Sequence, residues 1–78
     1  MRVPLPEPTT EGERDPQVAS EQAQLVRALQ ANGALDPVEL ARLVGATYWD
    51  EGRYDRALAL SVVDGLVYRT GDGRVAAS

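Results

Sequence analysis

The amino-acid sequence predicts a mainly α-helical domain in which three helices are followed by a small two-stranded β-hairpin. Three observations support this fold class. Apolar residues recur at helical spacing in three segments, a glycine follows each of those segments, and two short apolar stretches flank a Gly-Asp-Gly turn. A chain of 78 residues forms one domain at most, and its core needs nearly every apolar side chain.

The composition excludes several classes of function. The chain contains no Cys and no His, so it lacks the thiol nucleophile, the usual general base near neutral pH and the common zinc ligands. No apolar stretch approaches the roughly 20 residues that span a bilayer, and the first residues lack the apolar block of a secretory signal. We therefore expect a cytoplasmic protein that is not an enzyme, does not associate with membranes and uses neither metal nor cofactor.

Acidic residues outnumber basic residues by 12 to 8, for a net charge of −4, and every basic residue is an arginine. Residues 1–15 carry half of this excess and also contain three of the five prolines. We predict that they form a flexible tail, whose Pro-Leu-Pro-Glu-Pro stretch could bind a partner in an extended conformation. Residues 16–78 then form the domain, with a nearly balanced charge.

The first helix is predicted over residues 16–32. Asp15 followed by Pro16 is typical of an N-cap and a first helical position, and Ser20 offers an alternative start. An amphipathic stripe of apolar residues follows, and an Asn-Gly pair ends the helix.

The second helix is predicted over residues 37–44 and has a clearer signature. Asp36 is the expected N-cap, Pro37 occupies the first position, and Glu39 completes a capping box in which aspartate replaces Ser or Thr. Gly45 ends the helix.

The third helix is predicted over residues 51–64, with Asp50 as its N-cap. A helical wheel separates a core side from an outer side. The core side holds Tyr54, Ala57, Leu58, Ser61 and Val62, and the outer side holds Arg53, Arg56, Leu60 and Val63. The last turns are apolar on nearly every side, so we expect the following segment to cover them.

That following segment predicts a β-hairpin. Gly65 is typical of a left-handed helix cap, with Leu66 as the residue that packs beside it. Residues 66–70 and 74–78 read as two short strands, and Gly-Asp-Gly at residues 71–73 forms the turn between them.

The linker before the third helix holds two aromatic residues and the first of several acidic ones. Tyr48 and Trp49 could stack on a base or on a partner, but we expect Trp49 in particular to seal the second helix against the third. The carboxylates of Asp50, Glu51 and Asp55 suggest helix capping more than a metal site, because they lack the spacing of a calcium-binding loop.

Three helices and a hairpin in this order have the layout of a winged helix-turn-helix domain. The stretch "DRALALSVVDGLVYRTGDGRV" resembles the recognition helix and wing of bacterial winged helix-turn-helix regulators, including those of the GntR type. The resemblance covers residues 36–75 in layout and about residues 53–75 in actual sequence. It implies a protein that binds double-stranded DNA.

The resemblance also implies which residues contact DNA. Arg53 and Arg56, with Tyr54 between them, would face the major groove or its phosphates, and Arg69 and Arg74 would flank the wing tip and reach the backbone or the minor groove. The first turn of the third helix departs from the family, because it reads Asp-Glu-Gly where such regulators often place Ser, Thr, Gln or Asn.

Two hypotheses about function follow. The favoured one is a small DNA-binding winged helix protein, a transcriptional regulator or a DNA-associated accessory factor. The alternative is a protein–protein interaction module, an adaptor or subunit of a larger complex. It would present Tyr48, Leu60 and Val63, or the edge of its hairpin, to a protein partner or to a second copy of itself, with the acidic, proline-rich tail as a second contact. The acidity of the chain and the carboxylates at the start of the third helix motivate this alternative.

Overall fold

A computed structural model describes residues 16–78 of the chain. Its elements, in chain order, are α1 (Pro16–Asn32), α2 (Pro37–Val44), a 3₁₀-helical turn (Ala46–Tyr48), α3 (Arg53–Val63), β1 (Val67–Arg69) and β2 (Val75–Ala77). The predicted fold class is confirmed, with three helices and a hairpin in a winged helix-turn-helix layout. The predicted tail at residues 1–15 and the predicted Asp15 cap lie outside the described residues.

The bounds of α2 agree with the prediction because the sequence caps both of its ends. The Asp36 carboxylate accepts a hydrogen bond from the Val38 N–H at 2.8 Å, and Gly45 ends the helix with a φ of 73°. Only one half of the predicted capping box forms. Glu39 Oε1 accepts a hydrogen bond from Arg42 Nη1 at 2.9 Å instead of reaching back to the cap.

α3 begins two residues later than predicted, so the interpretation of Asp50 as its N-cap is wrong. The residue before the helix is Gly52, which has a φ of 84° and provides no side-chain cap. The Asp50 carbonyl instead accepts the Arg53 N–H at 3.1 Å, and Arg56 N–H donates to the Gly52 carbonyl at 3.0 Å. Because glycine alone takes this left-handed turn without strain from a Cβ atom, it sets the start of the helix.

The C-terminal end of α3 confirms the predicted stop. Gly65 has a φ of 77°, its N–H donates to the Val62 carbonyl at 3.1 Å, and Leu66 N–H donates to the Ser61 carbonyl at 2.9 Å. These two bonds form a Schellman motif, which satisfies carbonyls that the helix leaves without partners. The Leu66 side chain stays exposed.

β1 and β2 form an antiparallel hairpin in which Tyr68 pairs with Ala76. A further residue, which the sequence did not predict to be extended, joins this sheet. Leu35, between α1 and α2, forms an antiparallel bridge to Val75, and the two residues exchange hydrogen bonds of 2.9 and 2.8 Å. β2 therefore lies between Leu35 and β1.

All three helices and both strands contribute to one apolar core. Its buried members are Val18, Leu25 and Leu29 from α1, Leu40 from α2, Ala57 and Leu58 from α3, Val67 from β1 and Val75 from β2. The Trp49 ring packs against this cluster and tilts over Tyr54, with 6.3 Å between the ring centroids. The expectation that Trp49 closes the core is confirmed, whereas Tyr48 beside it is 91% exposed.

Gly65→Ala tests how much the left-handed conformation of Gly65, at the end of α3, contributes to the stability of the domain. A Cβ atom at Gly65 meets no atom within 4 Å, so its cost is the backbone conformation alone, about 1–2 kcal/mol of unfolding free energy. Gly71→Ala is the matched control, because it meets equally open space without a positive φ. Urea unfolding of both variants measures the difference, and equal stabilities would contradict the assigned role of Gly65.

Candidate interaction surface

Arg53, at the start of α3, binds α1 through an internal ion pair. Its Nε donates to Glu21 Oε2 at 2.8 Å and its Nη2 donates to Glu21 Oε1 at 3.0 Å. The side chains are 17% and 4% exposed, and Gln17 adds a hydrogen bond of 3.1 Å to the same carboxylate. A bidentate arginine–carboxylate pair removed from water is held much more firmly than a surface pair.

The prediction that Arg53 faces outward is therefore wrong. A helical wheel locates the Cα atom, but a long side chain in the first turn can reach around the helix toward a buried carboxylate. The sequence holds a signal for this pair. Glu21 is three residues after Val18 and four before Leu25, so it lies on the apolar face of α1. A carboxylate at such a position needs a cationic partner.

A second polar contact joins the other end of α3 to α1. Gln22 Nε2 donates to Asp64 Oδ2 at 3.0 Å, and Asp64 is the residue directly after the last residue of α3. Two consecutive residues of α1, Glu21 and Gln22, thus hold the first residue of α3 and the residue beyond its end. This arrangement fixes the rotation of α3, and so decides which of its residues face outward.

Tyr54, the second residue of α3, binds α2. Its hydroxyl donates to the Pro37 carbonyl at 2.6 Å. The pKa of this phenol is raised to about 12, chiefly by burial and also by the charges of Asp55 and Asp36, against the opposing effect of Arg69. The side chain that the resemblance assigned to DNA therefore already connects the N-terminus of α2 to α3.

The outer face of α3 is what these contacts leave uncovered. We define the α3 stripe as Arg56, Ala59, Leu60 and Val63, whose spacing places them on one side of a helix. Leu60 is half-buried, the other three are exposed, and Val63 is 74% exposed. The hairpin was expected to cover this end of α3. β1 does contact α3 and packs Val67 into the core, but it leaves Val63 exposed.

Charge on the α3 stripe is limited to one group. Arg56 forms no ion pair with any residue between 16 and 78, so its guanidinium is available to an external anion. Asp50 and Glu51 precede the helix and are both exposed. The end of α3 that a DNA-binding protein would insert into the major groove therefore carries two carboxylates.

The wing tip carries paired rather than free charge. Arg74 Nε lies 3.7 Å from Asp72 Oδ2 at the exposed turn. The Thr70 hydroxyl donates to the Asp72 carboxylate. This hydrogen bond is the main cause of a lowered pKa of Asp72, with smaller contributions from the backbone N–H and the charge of Arg74. Arg69 is exposed on β1.

Within residues 16–78, no group of three or more acidic side chains is placed to hold a metal ion. No helix in that range is long and apolar enough to cross a membrane. The candidate site is the exposed surface of α3 and the hairpin, because it holds Arg56, Arg69 and Arg74 and the exposed Val63.

Comparisons with known proteins assign no family to the chain. No protein-family model matches it, and searches of curated proteins and of solved structures found no match. The class of protein is defined by its layout of three helices and a wing. The exposed residues of α3, β1 and β2 are the basis for the proposed function.

Removal of either partner of the Glu21–Arg53 pair should destabilise the fold strongly. Glu21→Gln removes the carboxylate charge that binds this guanidinium, so we expect a loss of about 3 kcal/mol of unfolding free energy. Arg42→Ala, which breaks the exposed pair with Glu39, should change stability by less than about 0.5 kcal/mol. In the double variant Glu21→Leu with Arg53→Met, most of the loss should be recovered. Denaturant unfolding of all variants checks these values.

Because the phenol of Tyr54 is half-buried, we expect the unfolding free energy to decrease at alkaline pH. Because the pKa of its phenol is about 12 in the folded chain and 10.0 as the unperturbed value, its contribution is fully present below pH 10 and is lost as the pH rises toward 12. Unfolding free energies measured across this interval should decrease for the wild type and decrease less for Tyr54→Phe. Parallel curves for the two proteins would contradict the assigned burial of Tyr54.

Proposed function

We propose that the chain is a winged helix module that binds another protein through the α3 stripe. The observation that carries this proposal is the exposed apolar surface at the C-terminal half of α3, where Ala59 and Val63 face solvent and Leu60 is only half-buried. In a chain with so few large apolar residues, an exposed apolar stretch next to a cation is a candidate contact surface for a partner.

Two of the predicted DNA-contacting residues make internal contacts, and this supports a protein partner over DNA. DNA-reading helices present hydrogen-bonding side chains to the base edges. Here Arg53 is bound to Glu21 and Tyr54 is bound to the Pro37 carbonyl. Residues 16–78 contain eight acidic residues and six arginines, which leaves no excess of positive charge to attract a polyanion.

The partner that fits the α3 stripe has an apolar surface with an acidic group at one edge. Ala59 is small enough to let another backbone approach, and Val63 supplies the exposed apolar anchor. Arg56 lies one helical turn before Ala59 and two turns before Val63, and it can pair with a carboxylate of the partner. An amphipathic helix laid along α3 has this chemistry, because it presents apolar and charged residues at the same spacing.

DNA binding is the second candidate, because three of the predicted contact residues remain exposed. Arg56 lies on α3 and Arg69 and Arg74 on the two sides of the wing, as the resemblance to bacterial regulators requires. Three phosphate contacts would give weak binding that falls steeply with salt concentration. A regulator or accessory factor of this kind would need a further source of affinity.

Val63→Arg distinguishes the two candidates, because it changes binding in opposite directions. A charge in the middle of an apolar contact should weaken protein binding at least about tenfold, the effect of a modest hot spot. The same charge should strengthen binding to a DNA duplex. The measurement is quantitative affinity purification from the source cells, followed by calorimetry with the purified partner and by fluorescence anisotropy with a random duplex at low salt.

Val38→Arg is the matched control, since Val38 is 68% exposed but lies on α2. A partner retained by the wild type and by Val38→Arg but lost by Val63→Arg supports the proposal. If both variants lose the same proteins, or neither does, the α3 stripe is not the binding surface. Salt-sensitive duplex binding that Val63→Arg strengthens would establish the DNA candidate instead.

A further inference from the structure

Within residues 16–78, no strand pairs with one edge of β1. The sheet order places β2 between Leu35 and β1, so β1 is the terminal strand. An edge of this kind presents N–H and C=O groups that can pair with another extended chain.

The hydrogen-bond pattern shows which backbone groups point outward from this edge. Ser78 N–H donates to the Leu66 carbonyl at 3.0 Å and Thr70 N–H donates to the Arg74 carbonyl at 2.8 Å. Because bonded and non-bonded pairs alternate in an antiparallel ladder, the inward groups of β1 between these two bonds belong to Tyr68. The N–H and C=O groups of Val67 and Arg69 therefore point away from β2. In β2, Val75 follows the same rule and uses its outward groups to bind Leu35.

Few of the usual protective features are found on this edge. The three pairs of the hairpin follow one another without a bulge, and residues 65–78 contain no proline. Arg69 is the single charged residue on β1 and is exposed, so charge protects this edge at one position.

We propose that two copies of this chain pair through their β1 strands, antiparallel about a two-fold axis at Tyr68. In this register Val67 of one copy lies opposite Arg69 of the other. All four outward backbone groups of each β1 strand then take part in hydrogen bonds between the copies. The pairing goes beyond the proposed function, because it depends on β1 and not on the α3 stripe.

A second copy of the chain fits the free edge of β1, because two β1 strands match each other in one register. A register centred on Arg69 would place two guanidinium groups opposite each other, which is unfavourable. A register centred on Val67 would require Gly65, whose N–H already binds the Val62 carbonyl. The Tyr68 register avoids both problems and places the exposed Tyr68 ring against its symmetry mate, an aromatic cross-strand pair.

Strand length and net charge make the dimer concentration-dependent. Three-residue strands bury a small area, so the association is weak. Each copy carries a net charge of −4, so the two copies repel each other in dilute buffer. Added salt screens that repulsion and should strengthen the dimer. DNA binding has the opposite dependence on salt.

The test uses the full chain in sedimentation equilibrium over a concentration series that extends into the millimolar range. We expect the mass to rise from the monomer value of 8.4 kDa toward twice that value, and to rise further with added salt. Arg69→Pro removes one outward N–H without removing a hydrogen bond of the hairpin, and should remain monomeric. Arg69→Ala keeps that N–H and should dimerise like the wild type. A dimer that tolerates proline at this position, or a wild type that is monomeric throughout, overturns the proposal.

Amide hydrogen exchange of the wild type gives a second readout that needs no variant. In the monomer, the N–H groups of Val67 and Arg69 face solvent and should exchange quickly. In the dimer they should be protected, and the protection should increase with concentration, whereas the hairpin N–H of Thr70 should change little. Fast exchange of Val67 and Arg69 at the highest concentration would show that β1 is not the interface.

Discussion

Two neighbouring side chains of α1, Glu21 and Gln22, hold the two ends of α3. Glu21 binds the guanidinium of Arg53 through both carboxylate oxygens, and Gln22 donates to Asp64 just beyond the helix. Apolar packing alone resists rotation of a short helix weakly, because similar side chains can exchange places in a core. Polar contacts at both ends specify a single rotation, since any other would leave a buried charge without a partner.

This constraint determines the chemistry of the surface. Once Arg53 turns inward and Tyr54 binds α2, the outward positions of α3 are Arg56 followed by small and aliphatic residues. The cationic groups that would make a nucleic-acid surface are divided among the internal ion pair of Arg53, the outer face of α3 at Arg56, and the wing. The third helix of this layout therefore presents a largely apolar outer face, because one of its arginines holds the core together.

Local rules made most of the fold predictable from the sequence. The bounds of α2 depend on Asp36 and Gly45, and the end of α3 depends on Gly65, each through contacts with residues a few positions away. The start of α3 was predicted wrongly because the left-handed Gly52 overrode an aspartate that is usually an N-cap. The orientation of Arg53 and the bridge from Leu35 involve residues distant in sequence, so spacing and propensity could not predict them. The position of Glu21 on the apolar face of α1 was a sequence signal for the orientation of Arg53. The sequence around Leu35 held no signal for its bridge to Val75.

The bridge between Leu35 and Val75 has a consequence for how the chain folds. A hairpin of three-residue strands has little stability by itself, and this one gains its third strand from a residue 40 positions earlier in the chain. We therefore expect the wing to become ordered together with the turn between α1 and α2, so that the two halves of the domain fold in one cooperative transition. The bridge thus ties the wing to the helices that precede it.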